Sequence, residues 1–104
     1  MSLQNLQEQV NEWTSQFKPQ YWNAHEILAR LIEETGELAR EINHLYGPKP
    51  KKPSEEKKEL GNEIADVFFT LICLANSKNI NLDEAWNSIM KKYTERDANR
   101  YEKA

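Results

Sequence analysis

Glu63-Ile64-Ala65-Asp66-Val67-Phe68-Phe69-Thr70-Leu71-Ile72-Cys73-Leu74-Ala75 decides the architecture of this chain. From Leu60 onward the stretch is apolar on nearly every side, so a helix here needs cover from several neighbours. Two acids stand at its head. Glu63 and Asp66 are three residues apart, which puts them about 60° apart around a helix and on one face. No Lys or Arg stands one turn from Asp66 in either direction. A carboxylate on the rim of an apolar helix needs a partner, because an unpaired buried charge is very costly. A bound divalent cation would resolve that mismatch.

The flanking sequence extends this helix from about Glu55 to Ser77, with Ser54 as its cap and Asn79-Ile80-Asn81 as its break. Upstream, Ile27, Leu28, Leu31, Ile32, Leu38, Ile42 and Leu45 repeat with helical spacing from about Ala24 to Tyr46. Asn23 and Glu26 form a capping box at its start, and Gly47-Pro48 is a stop signal at its end. Gly47 to Pro53 reads Gly-Pro-Lys-Pro-Lys-Lys-Pro, a basic and semi-stiff loop. Leu3, Leu6, Val10, Trp13 and Phe17 predict a first helix from Leu3 to Phe17, ended by Pro19. Asn81 and Glu84 repeat the capping pattern for a fourth helix, running from Leu82 to about Tyr101. Trp13 and Trp86 fit apolar stripes and read as core. The chain is therefore expected to be all-α, a four-helix bundle in one domain over residues 1–104. Cover for the third helix points to completion by homo-oligomerisation, as a homodimer or homotetramer.

Composition narrows the function. The formal net charge is -3 with 30% charged residues, too balanced for a disordered tail. A mildly acidic chain is a poor ligand for nucleic-acid polymers, which are bound by neutralising phosphates. A nucleotide remains open as a substrate, because a metal can supply positive charge locally. The single cysteine, Cys73, excludes an intramolecular disulfide and a thiolate metal site, and reads as a small buried hydrophobe. The apolar run falls well short of the ~20 residues needed to cross a bilayer. The N-terminus has no signal-peptide pattern, so a reducing cytoplasm is the expected setting.

A second acidic stretch, Glu33-Glu34-Thr35-Gly36-Glu37, lies on the second helix, and 25 residues separate Glu37 from Glu63. Glu34 falls at the border of the apolar stripe, with Glu37 and Glu41 just outside it. Both acid pairs can thus meet at the seam between the two inner helices. Carboxylates without thiolate or imidazole select hard cations, Mg²⁺ first and Mn²⁺ as a substitute. The alternative is that both pairs are solvated faces of amphipathic helices, common in so charged a chain. Asp66 argues against it, since Asp is a poor helix former set beside an apolar run.

The pair EExxE and ExxD, with the phrases Ala29–Glu41 and Asp66–Ala75 and the Leu-Asp-Glu-Ala phrase at 82–85, resembles the MazG-like all-α nucleoside triphosphate pyrophosphohydrolases. The resemblance runs from Trp22 through Arg100 and is strongest to short single-domain bacterial members. It implies hydrolysis of a (deoxy)nucleoside triphosphate to monophosphate and pyrophosphate, as in removal of unwanted nucleotides. By matching position it implies Glu34, Glu37, Glu63 and Asp66 as Mg²⁺ ligands, with Glu33 supporting the site or orienting water. It also implies that the end of the fourth helix brings cations, Lys92 and Arg96, to the phosphates.

Other residues carry two readings each. Lys49, Lys51 and Lys52 either clamp a triphosphate tail or simply solvate the loop. Trp22, with Tyr21, either stacks on a base or staples the second helix. His44 follows Glu41 in a single Glu-x-x-His, and His25 lacks that spacing. A di-iron centre needs two such motifs, so both histidines read as ordinary. The competing functions are a phosphoribosyl-ATP pyrophosphohydrolase-like enzyme and a non-catalytic helical homodimer.

Overall fold

Asn23 opens the second helix as the sequence dictates. Its side chain accepts from the Glu26 amide at 2.9 Å, and the Glu26 carboxylate accepts from the Asn23 amide at 3.1 Å. The computed structural model describes residues 2–48 and 57–102. Among these residues the chain is all-α: α1 spans Leu3–Thr14, α2 Ala24–Tyr46, α3 Lys57–Ser77 and α4 Leu82–Lys92. A π-helical turn, Tyr93–Asp97, follows α4. The start of the third helix expected at Glu55 lies outside the described residues, as do Lys49, Lys51 and Lys52.

Two helix ends differ from expectation. α1 stops at Thr14 rather than Phe17. The Thr14 hydroxyl donates to the Val10 carbonyl at 2.8 Å and the Ser15 hydroxyl to that of Glu12 at 2.7 Å. Such side chains offer the backbone an alternative to the helical ladder. α4 does not continue to Tyr101. At its end the Tyr93 amide donates to the carbonyls of both Ile89 and Met90, and the helix widens into the π turn.

The other stops follow the sequence. At Gly47 the amide bonds the Asn43 carbonyl at 2.8 Å, and a Cβ at this position would collide with that same oxygen. Asn79 takes a left-handed φ of 55°, and the Ile80 amide turns back to the Ala75 carbonyl at 2.9 Å. An asparagine tolerates that conformation after a helix better than most residues.

α2 and α3 pack most extensively, α1 lies on α3, and α4 lies on α1. Val10, Ile27, Ile72 and Ala75 form the buried apolar centre. Asp83 of α4 caps α1, its two carboxylate oxygens accepting from the Leu3 and Gln4 amides at 3.1 Å each.

The expected enclosure of α3 is not met within one chain. Ile64, Phe68, Phe69 and Leu71 are all exposed. Trp13 and Trp86, expected in the core, are each 54% exposed. Each lies on an apolar stripe that the rest of the chain covers only in part. The radius of gyration is 17.0 Å, against about 13 Å for a compact domain of this length.

Candidate functional site

Helical spacing on two helices creates the site. Glu34 and Glu37 leave α2 one turn apart, Glu63 and Asp66 leave α3 one turn apart, and the α2–α3 packing brings the pairs face to face. One carboxylate oxygen from each lies within 4.8 Å of the others. Glu34 is buried, Glu63 half-buried, and Glu37 and Asp66 exposed. The quartet is therefore a seam with a dry floor and a wet mouth.

Its electrostatics are unfavourable as it stands. Glu34 is pushed above its ordinary value of 4.5, first by burial and then by the charges of Glu37 and Asp66, with Arg30 opposing. Glu63 is pushed up from 4.5 as well, by burial and then by Glu37, Asp66, Glu34 and Glu41. Glu34 Oε2 and Glu63 Oε2 are buried without a hydrogen-bond partner. Buried polar atoms are normally satisfied, so two orphaned oxygens in one acidic cluster call for a cation. Octahedral Mg²⁺ holds oxygens at about 2.1 Å, which sets its ligands roughly 3–4 Å apart. With one oxygen from each acid within 4.8 Å of the others, the quartet is near that spacing, and the residues fit a hard divalent ion.

A cavity of about 470 Å³ opens beside the acids. Glu34 and Asp66 line one end, and Trp13, Phe17, Tyr21 and Trp22 line much of the rest. Trp13 stands edge-on to Phe17, with ring centroids 5.0 Å apart, and to Phe69 at 5.9 Å. Thr70 and Cys73 continue the wall along α3. Cys73 is half-buried there rather than enclosed in the core, because its face of α3 looks into the chamber. Aromatic walls beside an acidic, cation-ready mouth suit a ligand with a flat ring at one end and anionic groups at the other.

The structure sorts the residues read from sequence. Glu34, Glu37, Glu63 and Asp66 converge, and Trp22 lines the adjoining chamber. Glu33 is exposed and stands outside the quartet. Lys92 and Arg96 line neither the chamber nor the groove on its other side, and Arg96 pairs with Asp97 at 3.2 Å. Glu41, expected just outside the apolar border, is buried at 6% exposure. Seven residues after Glu34, it lies within about 20° of that acid around the helix, on the face that α3 covers.

Sequence reading missed Arg30. Its Nη2 donates to Glu34 Oε1 at 2.8 Å, and its side chain reaches the chamber. The i, i+4 spacing of Arg30 and Glu34 carried the signal.

Known proteins are similar over nearly the whole chain. The model of the MazG nucleotide pyrophosphohydrolase domain matches residues 23–101. The chain is 47% identical over 100 residues to the uncharacterised protein YpjD of Bacillus subtilis (strain 168), covering 96% of this chain and 90% of that protein. A crystal structure of YPJD from Bacillus subtilis superposes with a TM-score of 0.83 at 47% identity, over 89% of this chain and 95% of that one. A crystal structure of a Bacillus-conserved MazG protein, a nucleotide pyrophosphohydrolase, superposes with a TM-score of 0.80 at 41% identity. That match covers 94% of this chain and 95% of the other.

Proposed function

The chain belongs to the MazG nucleotide pyrophosphohydrolase family, and from that premise we propose that it hydrolyses (deoxy)nucleoside triphosphates to monophosphate and pyrophosphate with Mg²⁺. It is a hydrolase acting on nucleotide pyrophosphate bonds. The observation that carries the finer reading is the quartet itself, four carboxylates within 4.8 Å at the mouth of an aromatic chamber. Mn²⁺ is the expected substitute, because it shares the preference for oxygen ligands.

Glu34, Glu37, Glu63 and Asp66 would hold the cation. When bound, it supplies positive charge to the phosphate oxygens and makes the α-phosphorus more electrophilic. The aromatic chamber holds the base by stacking, with Trp22 at one wall, and so fixes the α-phosphate near the acids. A carboxylate oxygen not spent on the cation accepts a proton from water as that water attacks the α-phosphorus. The bond from that phosphorus to the α,β-bridging oxygen breaks, and pyrophosphate leaves. Glu33, on the exposed side of α2, orients the approaching water through solvent. No covalent enzyme intermediate is needed.

The cations assigned to the phosphates, Lys92 and Arg96 on the distal part of the chain and Lys49 and Lys51 in the basic loop, complete this reading. Lys92 and Arg96 lie away from the chamber of their own chain. A second subunit that placed them at its partner's chamber would fit the reading. The chain exposes 8470 Å², against about 6,100 Å² for a compact protein of 12.2 kDa. A groove of about 660 Å³ between α1 and α3, lined by Leu6, Val10, Ile64, Phe68 and Ile72, offers an apolar surface for a second copy. A homodimer, alone or paired into a tetramer, would cover it. None of the helices among the described residues is long and apolar enough to cross a membrane. A cytoplasmic setting, where nucleotides are plentiful, fits the free Cys73.

The test is incubation with a panel of dNTPs, NTPs and phosphoribosyl-ATP plus Mg²⁺, with products resolved by anion exchange. Monophosphate with pyrophosphate supports the proposal. Diphosphate with orthophosphate overturns it, and turnover of phosphoribosyl-ATP alone would move the substrate to that compound.

A further inference from the structure

Arg30 sits where the two halves of the site meet. It lines the aromatic chamber, and one turn along α2 its Nη2 donates to Glu34 Oε1 at 2.8 Å. Among the described residues, no Lys or Arg other than Arg30 is paired with the quartet. An ordinary ion pair at this spacing has two solvated partners and contributes little. This one is asymmetric: the Glu34 side chain is 5% exposed and the Arg30 side chain 51%. The acid is fixed in the floor of the seam while the guanidinium stands at the boundary between chamber and solvent.

The charge balance of the site gives this arrangement a consequence. Four carboxylates face one guanidinium, and Glu34 has a second buried oxygen, Oε2, with no partner. With a divalent cation held by Glu34, Glu37, Glu63 and Asp66, Glu34 would no longer need Arg30 for neutralisation, and the guanidinium would be repelled from the seam. Glu26 and Glu33 also lie one turn from Arg30 on α2, but on the chamber side that Arg30 lines, the anion available would be the phosphate chain of a nucleotide whose base occupies the chamber. A guanidinium presents a planar fork of donors that matches phosphate oxygens in pairs, and it keeps its charge at any working pH. The side chain needs only rotamer changes to move, since half of it is already solvent-exposed.

We infer that Arg30 is a substrate-binding residue that exchanges partners, holding Glu34 before the cation binds and gripping the nucleotide phosphates afterwards. This inference rests on the function proposed above. It assigns the anion-binding side of the chamber to a residue outside both acidic motifs.

The test compares wild type with Arg30→Gln and Arg30→Lys by three measurements. Titration with Mn²⁺ alone, followed by electron paramagnetic resonance, reads the cation site. Calorimetric binding of an α,β-imido deoxynucleoside triphosphate with Mg²⁺ reads the nucleotide site without hydrolysis. Thermal melting reads the fold. Arg30→Gln is expected to weaken nucleotide binding about tenfold, the loss of one charged contact. Mn²⁺ affinity is expected to stay equal or rise, since Glu34 loses a competitor. Arg30→Lys should recover part of the nucleotide affinity and none of the two-pronged contact. Unchanged nucleotide affinity in Arg30→Gln overturns the inference and leaves the proposed function standing. Loss of Mn²⁺ binding together with nucleotide overturns it too, making Arg30 only a support for Glu34. Should Arg30→Gln fail to fold, Arg30→Lys decides by the same comparison. A wild type that neither binds the analogue nor hydrolyses any nucleotide overturns the inference and the proposed function together.

Discussion

Gln7 and Asn76 exchange two hydrogen bonds across the α1–α3 interface. Gln7 Nε2 donates to Asn76 Oδ1 at 2.9 Å, and Asn76 Nδ2 donates to the Gln7 carbonyl at 3.0 Å. The pair extends in both directions. Asn76 Nδ2 also reaches the Tyr21 hydroxyl at 3.0 Å, and that hydroxyl donates to Asn11 Oδ1 at 2.6 Å. The Leu82 amide donates to Gln7 Oε1 at 3.0 Å, which ties in the start of α4. Gln7 and Asn76 together thus hold α1, the chamber wall at Tyr21 and the α3–α4 turn in register.

Asn76→Ala is expected to destabilise the protein by about 2–3 kcal/mol, because it removes three partly buried hydrogen bonds. The urea midpoint should fall with an unchanged slope. KM for nucleotide should rise as the Tyr21 wall loosens. A midpoint equal to that of wild type would show that the network contributes nothing net.

Stability and turnover should separate at Glu34. The buried carboxylate costs energy to ionise, so Glu34→Gln removes a burden along with the Arg30 ion pair. Stability is expected to remain within about 1 kcal/mol of wild type. Turnover should drop at least ~100-fold, as a cation ligand is worth several kcal/mol in the transition state. Circular dichroism and an assay for pyrophosphate measure the two. Retained turnover would remove Glu34 from the site.

The raised values of Glu34 and Glu63 set the sign of the pH dependence without metal. The folded protein holds protons there that the unfolded chain releases. Stability from this source is therefore full below the ordinary value of 4.5 and is lost as pH rises through the raised folded values. In EDTA, urea midpoints should accordingly rise on mild acidification from neutrality. Millimolar Mg²⁺ should raise the neutral midpoint and flatten or reverse the trend, because the cation stabilises the ionised forms. The same dependence with and without Mg²⁺ would argue against cation binding at these acids.

Phe68 tests the covering subunit. It is 44% exposed and lines the α1–α3 groove. A carboxylate in a buried apolar interface is strongly unfavourable, so Phe68→Glu should convert a dimer into a monomer by light scattering. Monomeric wild type at tens of micromolar would contradict the assembly.

Local chemistry made much of this fold legible. Asn23 with Glu26, the Gly47 stop and the Asn79 break each depend on atoms within one turn, and each forms as read. The acidic quartet was legible for the same reason: helical spacing fixes which carboxylates share a face. The end of α1 was not, because it turns on whether Thr14 and Ser15 hydroxyls bond the backbone. Trp13 shows a deeper limit. Periodicity identifies the apolar face of a helix but not whether the opposite surface is filled. Trp13 faces a chamber on one side and an open groove on the other. Glu41 has the same lesson, since its burial is set by the packing of α3 on α2, whereas the Arg30–Glu34 pair was legible in its i, i+4 spacing.

The most direct test is a Mn²⁺ titration of wild type, Glu37→Gln and Asp66→Asn, followed by electron paramagnetic resonance at neutral pH. Saturable binding to wild type is expected, with affinity falling at least ~10-fold in each variant while helical circular dichroism is unchanged. Both variants binding Mn²⁺ as wild type does, or a wild type that binds none, would contradict a shared cation site at the α2–α3 seam.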